Sequence, residues 1–246
     1  MPIIEDFSLD IRRGDVLCIL GRNGIGKTTL FRTLMGSLRP LGGSVSIGGR
    51  DLFALDRKER AGLIASVPQS HNPPFAYTAF DIVLMGRAGL MHAFSLPSES
   101  DKKRAAEAMG LLGIGHLEDR AYTKISGGER QMVLIARAIA QGADYLFLDE
   151  PAANLDIGNQ MKVLGILGSL AAAGKGIVFT SHDPNHALLL DAEVAAISGV
   201  GNATRGASGD VITADMAREL YGVRAKIIEV EDGKGKHVKV FAPFLD

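Results

Sequence analysis

Three groups of residues in this chain have the types and spacing to handle phosphate and activated water. The first is Gly21-Arg22-Asn23-Gly24-Ile25-Gly26-Lys27-Thr28, a full Gly-x-x-x-x-Gly-Lys-Thr phosphate loop. Its glycines let backbone N–H groups curl around phosphate oxygens, and a following helix adds a favourable dipole. In such a loop Lys27 reaches the β- and γ-phosphates of a nucleotide, Thr28 ligates Mg²⁺, and Thr29 is placed to contact the α-phosphate. The second group is Asp149-Glu150, which follows the apolar run Tyr145-Leu146-Phe147-Leu148. A buried strand there delivers two carboxylates to the sheet edge where ligands of open α/β sheets bind. Asp149 is then placed to hold Mg²⁺ through water, and Glu150, pointing differently, to act as a general base. The third is Ser126-Gly127-Gly128 before a helical pattern beginning near Glu129. It reads either as a helix cap or as a second anion site, one that completes the site of a partner.

Elements must position these groups. Val16–Leu20, Ser44–Ile47, Leu63–Val67, Tyr145–Leu148, Gly176–Thr180 and Val194–Ile197 are short, apolar and rich in β-branched residues, so they read as strands. Helices are expected over Lys27–Leu38 and Gln160–Ala173. The alternation predicts an α/β fold whose sheet is largely parallel at its centre. From residue 71 to 141 the rhythm changes to helical patterns alone, at Phe80–Met85, Lys102–Leu112 and Glu129–Ala140. The entrance His71-Asn72-Pro73-Pro74 suits a junction, because proline extends neither a helix nor a central strand. Near the end a helix over Thr213–Leu220 leads to a hairpin of Lys226–Val230 and His237–Phe241.

With these elements in place, the chain resembles the nucleotide-binding subunit of an ATP-binding-cassette (ABC) transporter along nearly its whole length. Gly21–Thr28 matches the Walker A motif, Gln69 in Val-Pro-Gln-Ser the Q-loop, and Ile125–Gln131 the family signature. Tyr145–Glu150 matches Walker B, Ala153-Asn154-Leu155-Asp156 the D-loop, and His182 in Thr-Ser-His-Asp the switch histidine. The signature's usual Leu and terminal Gln are here Ile125 and Glu129. The resemblance implies a phosphate-loop NTPase (RecA-like) core with a β-rich N-terminal edge and an inserted α-helical subdomain. Within one domain spanning 1–246, residues 1–70 and 142–208 would form the core, 71–141 the helical subdomain, and 209–246 a tail of helix and hairpin. It also implies ATP and Mg²⁺ as cofactors and a homodimer that sandwiches two ATPs head to tail. Lys27, Gln69 and His182 of one subunit would then face Ser126, Gly127 and Gly128 of the other, with Gln69 near Mg²⁺ or the attacking water and Asp156 among the nucleotide-contacting residues.

The stretch Pro74–Arg87 after the Q-loop is similar to that of ATPases serving importers of metal chelates and oxyanions: iron-siderophore, haem, cobalamin, molybdate or tungstate. Val211–Val223 is similar to the end of the same group. The implied partner is an integral membrane permease docking near Gln69 and Phe75–Arg87, with Phe75, Tyr77 and Arg87 as the exposed anchors. A periplasmic or extracellular substrate-binding protein would act indirectly, and the subunit would sit on the cytoplasmic face of the membrane. The alternatives are a soluble ABC ATPase without transport, or an importer ATPase for another cargo. A phosphate-loop GTPase is disfavoured because no Asn-Lys-x-Asp guanine site occurs.

One departure concerns the base. Family members carry an adenine-stacking aromatic on a strand before the segment that here begins Ile3-Ile4-Glu5-Asp6. Phe7 is the nearest aromatic, and its setting reads as an edge strand facing the core. Two readings stay open: the natural start lies upstream, which is the expectation, or adenine is held weakly. Composition adds exclusions. A net charge of -1 supplies no basic field for nucleic acid. No run of 18 apolar residues would span a bilayer, no signal peptide precedes the first strand, and one cysteine, Cys18, reads as core. The pattern is that of a cytoplasmic protein.

Overall fold

The computed structural model describes residues 4–68, 77–91, 95–153, 155–199, 201–231, 233, 235 and 237–245. The elements run β1 Val16–Gly21, α1 Lys27–Leu34, β2 Ser46–Ile47, β3 Arg50–Asp51, α2 Arg57–Leu63, β4 Ile64–Val67, α3 Ala79–Leu84, α4 Glu99–Leu111 and α5 Gly127–Gln141. Then follow β5 Tyr145–Leu148, α6 Ile157–Ala172, β6 Gly176–Ser181, α7 Pro184–Leu189, β7 Glu193–Gly199 and β8 Asn202–Ala207. The tail is α8 Ser208–Val211, α9 Ala214–Tyr221, β9 Arg224–Glu231 and β10 His237–Phe244. Two compact units result, Met1–Gly43 with Leu167–Asp246, and Ser44–Ile166.

In the first unit the strands lie in the order β6-β1-β7-β8. β1 is parallel to both neighbours, with Leu20 opposite Ser181 on one side and Ala196 on the other. Leu17, Cys18, Ile19, Val178, Phe179, Val194 and Ile197 are all within 1% of complete burial, so the central strands are covered on both faces. That is why they read as unbroken apolar runs. β8 pairs antiparallel with β7 across an irregularity between Ile197 and Gly199. It was not foreseen from the sequence: its residues are mostly exposed, so no apolar period marks it. β9 and β10 form the expected terminal hairpin.

In the second unit β4 and β5 pair in parallel, with Val67 opposite Leu148. Among the described residues from 77 to 141 every regular element is helical. Ala79, Ile82 and Val83 of α3, Ala105 and Met109 of α4, and Val133, Leu134 and Ile135 of α5 form the buried core. Gly86 makes this packing possible, since a Cβ there would lie 2.2 Å from the Arg137 carbonyl oxygen. α2 was also unforeseen. It buries none of its residues, and its only sequence signal is the capping box Asp56–Glu59.

Two expectations are corrected. The segment around Phe7 is no strand: apart from a single bridge between Ile4 and Gly201, residues 5–10 make no ladder, and Phe7 is only half-buried. Arg87 is no exposed anchor. Its guanidinium bonds Asp101 at 2.9 Å and donates to the carbonyls of Ala140 (3.1 Å) and Gln141 (2.8 Å), with 13% of the side chain exposed. The arginine closes the C-terminus of α5, where orphan carbonyls need donors and the dipole favours a cation.

Candidate functional site

The phosphate loop sits between a buried strand and a helix, as its chemistry requires. Gly21 ends β1 against β7, where a Cβ would lie 2.8 Å from Ile25 Cγ2 and 3.1 Å from the Ile197 carbonyl oxygen. Gly24 (φ 80°) and Gly26 (φ 113°) take left-handed backbone that turns the chain into α1. Gly26 is the N-cap, without a side chain to bond the first N–H groups, and the first turn holds no acidic residue. The N-terminus of α1 is thus left for an external anion. Lys27 is 6% exposed, and its Nζ bonds the Gly21 carbonyl at 2.8 Å, the Arg22 carbonyl at 3.2 Å and Asn23 Oδ1 at 3.5 Å. The ammonium therefore lies inside the curl of the loop. Thr28 is exposed in the first helical turn and Thr29 half-buried beside it.

His182 belongs to the same unit. It follows β6 directly, one residue past the Leu20–Ser181 pair, so it stands beside the start of the phosphate loop. Ser181 and Asp183 fix the chain on either side. Ser181 Oγ accepts from the Asp183 N–H at 3.0 Å and lies 3.0 Å from His186 Nδ1. Burial holds the His186 pKa below its ordinary value, against the opposing pull of Asp183.

In the second unit Asp149 continues the β5 ladder, donating its N–H to the Val67 carbonyl at 2.9 Å. Glu150 leaves it with φ 48°, a left-handed conformation that costs a non-glycine residue about 1 kcal/mol or more. The backbone thus leaves the ladder between the two carboxylates. Gln69 lies two residues beyond Val67, outside the described residues, as do Phe75 and Asn154.

Ser126 is the N-cap of α5 in a capping box. Its Oγ accepts from the Glu129 N–H at 3.2 Å while Glu129 Oε2 accepts from the Ser126 N–H at 2.7 Å. The backbone N–H of Ser126, with its hydroxyl, holds the Glu129 carboxyl below its ordinary range. The cap reading is the one seen: the serine caps α5, and Gly127 and Gly128 lie in the first turn, where N–H groups have no intrahelical acceptor. Asp156 accepts from the Asn159 backbone N–H at 2.9 Å and the Asn159 amide at 2.7 Å, and these bonds lower its pKa. A Cβ on Gly128 would lie 3.2 Å from that amide, so Asn159 packs closely against Gly128 while bonded to Asp156. Sequence reasoning missed Asn159; its only signal is the N3 position after Asp156.

The chemistry of the donors suits Mg²⁺, which takes few protein oxygens and completes its shell with water and phosphate. Thr28 in the first unit and Asp149 in the second each carry an oxygen of that kind, and no cluster of three acidic, histidine or cysteine side chains occurs among the described residues.

A strand, phosphate loop and bare helix N-terminus define a phosphate-loop nucleotide-binding protein. The chain belongs to the ABC transporter family, whose model matches residues 4–153, and it is an ATP-binding ATPase subunit of that family. It is 36% identical to a hemin import ATP-binding protein of Gloeobacter violaceus over 92% of this chain and 84% of that one. It is also 36% identical to a molybdate import ATP-binding protein of Haemophilus influenzae, over 89% and 81%. A solved metal-chelate type ABC transporter in an inward-facing conformation superposes with a TM-score of 0.88 at 33% identity, covering 98% of this chain and 91% of that one. No helix among the described residues is long and apolar enough to cross a membrane.

Proposed function

We propose that this chain drives uptake of a metal chelate or oxyanion, hydrolysing ATP while bound to a membrane permease from the cytoplasmic side. The observation that carries the nucleotide reading is the bare N-terminus of α1 with Lys27 inside the loop. The cargo class is supported by relatives named for hemin and molybdate import.

The loop N–H groups and Lys27 hold the β- and γ-phosphates through charge-assisted bonds. Thr28 and Asp149 supply oxygens to Mg²⁺, which when bound neutralises phosphate charge, with Gln69 as a further contact. Glu150 takes the proton of the attacking water, and His182 contacts the γ-phosphate from beside the loop. Two copies pair head to tail, so that Ser126, Gly127 and Gly128 of one reach the ATP held by the other, with Asp156 near the same junction. The permease docks along the segment from Gln69 through Phe75 and Tyr77. An extracytoplasmic binding protein delivers cargo to the permease and never touches this subunit.

Glu150→Gln tests the reading. It should keep ATP affinity and lose most turnover, because an amide cannot take the proton. Turnover at the wild-type rate would remove Glu150 from the base role. Co-purification of an integral membrane permease, and its loss in Tyr77→Ala, tests the docking segment.

A further inference from the structure

The geometry points to the C-terminal hairpin as a brace for His182, with Asn185 as the positioning residue that joins them. The inference rests on the role proposed above for His182 and adds to it. The chain from β6 into α7 is Ser181-His182-Asp183-Pro184-Asn185-His186. Asp183 is the N-cap of α7, its Oδ1 accepting from the Asn185 N–H at 2.9 Å. Ser181 Oγ closes the other side by meeting the Asp183 N–H, the Asp183 carbonyl (3.2 Å) and His186 Nδ1. His182 thus has both neighbours bonded to each other or to the first turn of α7. The ladder fixes where His182 leaves β6, and the first turn of α7 fixes the course of the chain just beyond it.

Besides the burial of Pro184, His186, Ala187 and Leu188, α7 is held by its neighbour in the tail. Asn185 Oδ1 accepts from the Phe241 N–H at 2.8 Å, and Asn185 Nδ2 donates to the Phe241 carbonyl at 3.2 Å. One side-chain amide therefore replaces a rung of ladder on the outer edge of β10, 56 residues later in the chain. Phe241 is itself fixed: it is 7% exposed, it lies opposite Ile227 of β9, and its ring meets Tyr221 edge-on at 6.3 Å. α7 is only six residues long, too short to hold its own position by helix propensity. The two bonds from Asn185 make the hairpin a rigid backing for the turn that carries His182. Neither bond touches the phosphate loop, so loss of Asn185 should act on turnover and spare nucleotide binding.

A double-mutant cycle on the full chain tests this. ATPase kcat and the affinity for a non-hydrolysable ATP analogue are measured for wild type, Asn185→Ala, His182→Ala and the double mutant. Asn185→Ala should lower kcat roughly ten- to a hundredfold, as misplacing a reacting group by about 1 Å does, with analogue affinity within about twofold of wild type. The double mutant should match His182→Ala, because a residue acting only through His182 has no effect once it is gone. If His182→Ala turns over at the wild-type rate, the role given to His182 fails. If His182→Ala is slow and Asn185→Ala slows it further by the same factor, the brace is overturned while the role of His182 stands. Unchanged kcat in Asn185→Ala overturns the brace as well. Should Asn185→Ala yield no folded protein, Asn185→Asp, which keeps the acceptor for the Phe241 N–H, takes its place in the cycle.

Discussion

The N-termini of α1 and α5 are both rich in glycine, yet they are finished in opposite ways. α1 starts at Gly26 with no side-chain cap and no acidic residue in its first turn. α5 starts at Ser126 with a reciprocal capping box and Glu129 in its first turn. The first leaves its N–H groups and positive dipole end to a ligand, with a buried cation inside the loop. The second satisfies part of itself and carries a negative charge. The end of α1 is open to an anion by itself, whereas that of α5 is partly satisfied by its own capping box. This difference suits a composite site in which the α5 end of one copy meets ATP on the α1 end of another.

The largest expected break in that contrast is Lys27→Ala. Losing charge-assisted bonds worth about 1.5–3 kcal/mol should weaken ATP affinity by one to two orders of magnitude in the isolated subunit, read by fluorescent-nucleotide titration. At the far end of α5, Arg87→Ala should lower unfolding free energy by about 2–3 kcal/mol in urea melts while leaving ATP affinity unchanged. The same clamp sets an acid response. The Ser98 hydroxyl, with Arg87, holds Asp101 at about 2, below the unfolded carboxyl near 3.9. Its stabilisation is therefore complete above about pH 4 and lost as pH falls toward 2. Asp101→Asn should flatten that part of the stability profile.

Smaller effects follow at the cap. Ser126→Ala should cost about 1 kcal/mol of stability and spare ATP binding by the monomer. Glu129→Gln keeps the box but removes the charge. It should tighten ATP-dependent association of two copies about two- to fivefold, the range of 0.3–1 kcal/mol for a charge at a helix end. Sedimentation equilibrium would read this, and weakened association would place the signature away from the nucleotide.

Much of the contrast was legible in the sequence, because both helix starts are written in local chemistry. Gly26 before Lys27, and Ser126 three residues before Glu129, state bare and capped ends directly. The parallel strands were equally plain, since burial on both faces makes their composition apolar throughout. Contacts that join distant residues were not legible. Arg87 looked like a surface anchor because nothing local shows that Ala140 and Gln141 lie against it. Nothing local to Asn185 marks its bonds to Phe241 either. α1 was expected to reach Leu38 but ends at Leu34, where Gly36 turns left-handed at φ 75°. The apolar pattern ran past a stop that backbone conformation imposed.

The central claim is that α5 acts on the nucleotide of a second copy. Glu150→Gln with ATP and Mg²⁺ should accumulate as a dimer by light scattering. Adding Ser126→Arg to that background should leave ATP affinity of the subunit as it was and return the protein to monomer. A dimer of undiminished stability in the double variant would contradict the account.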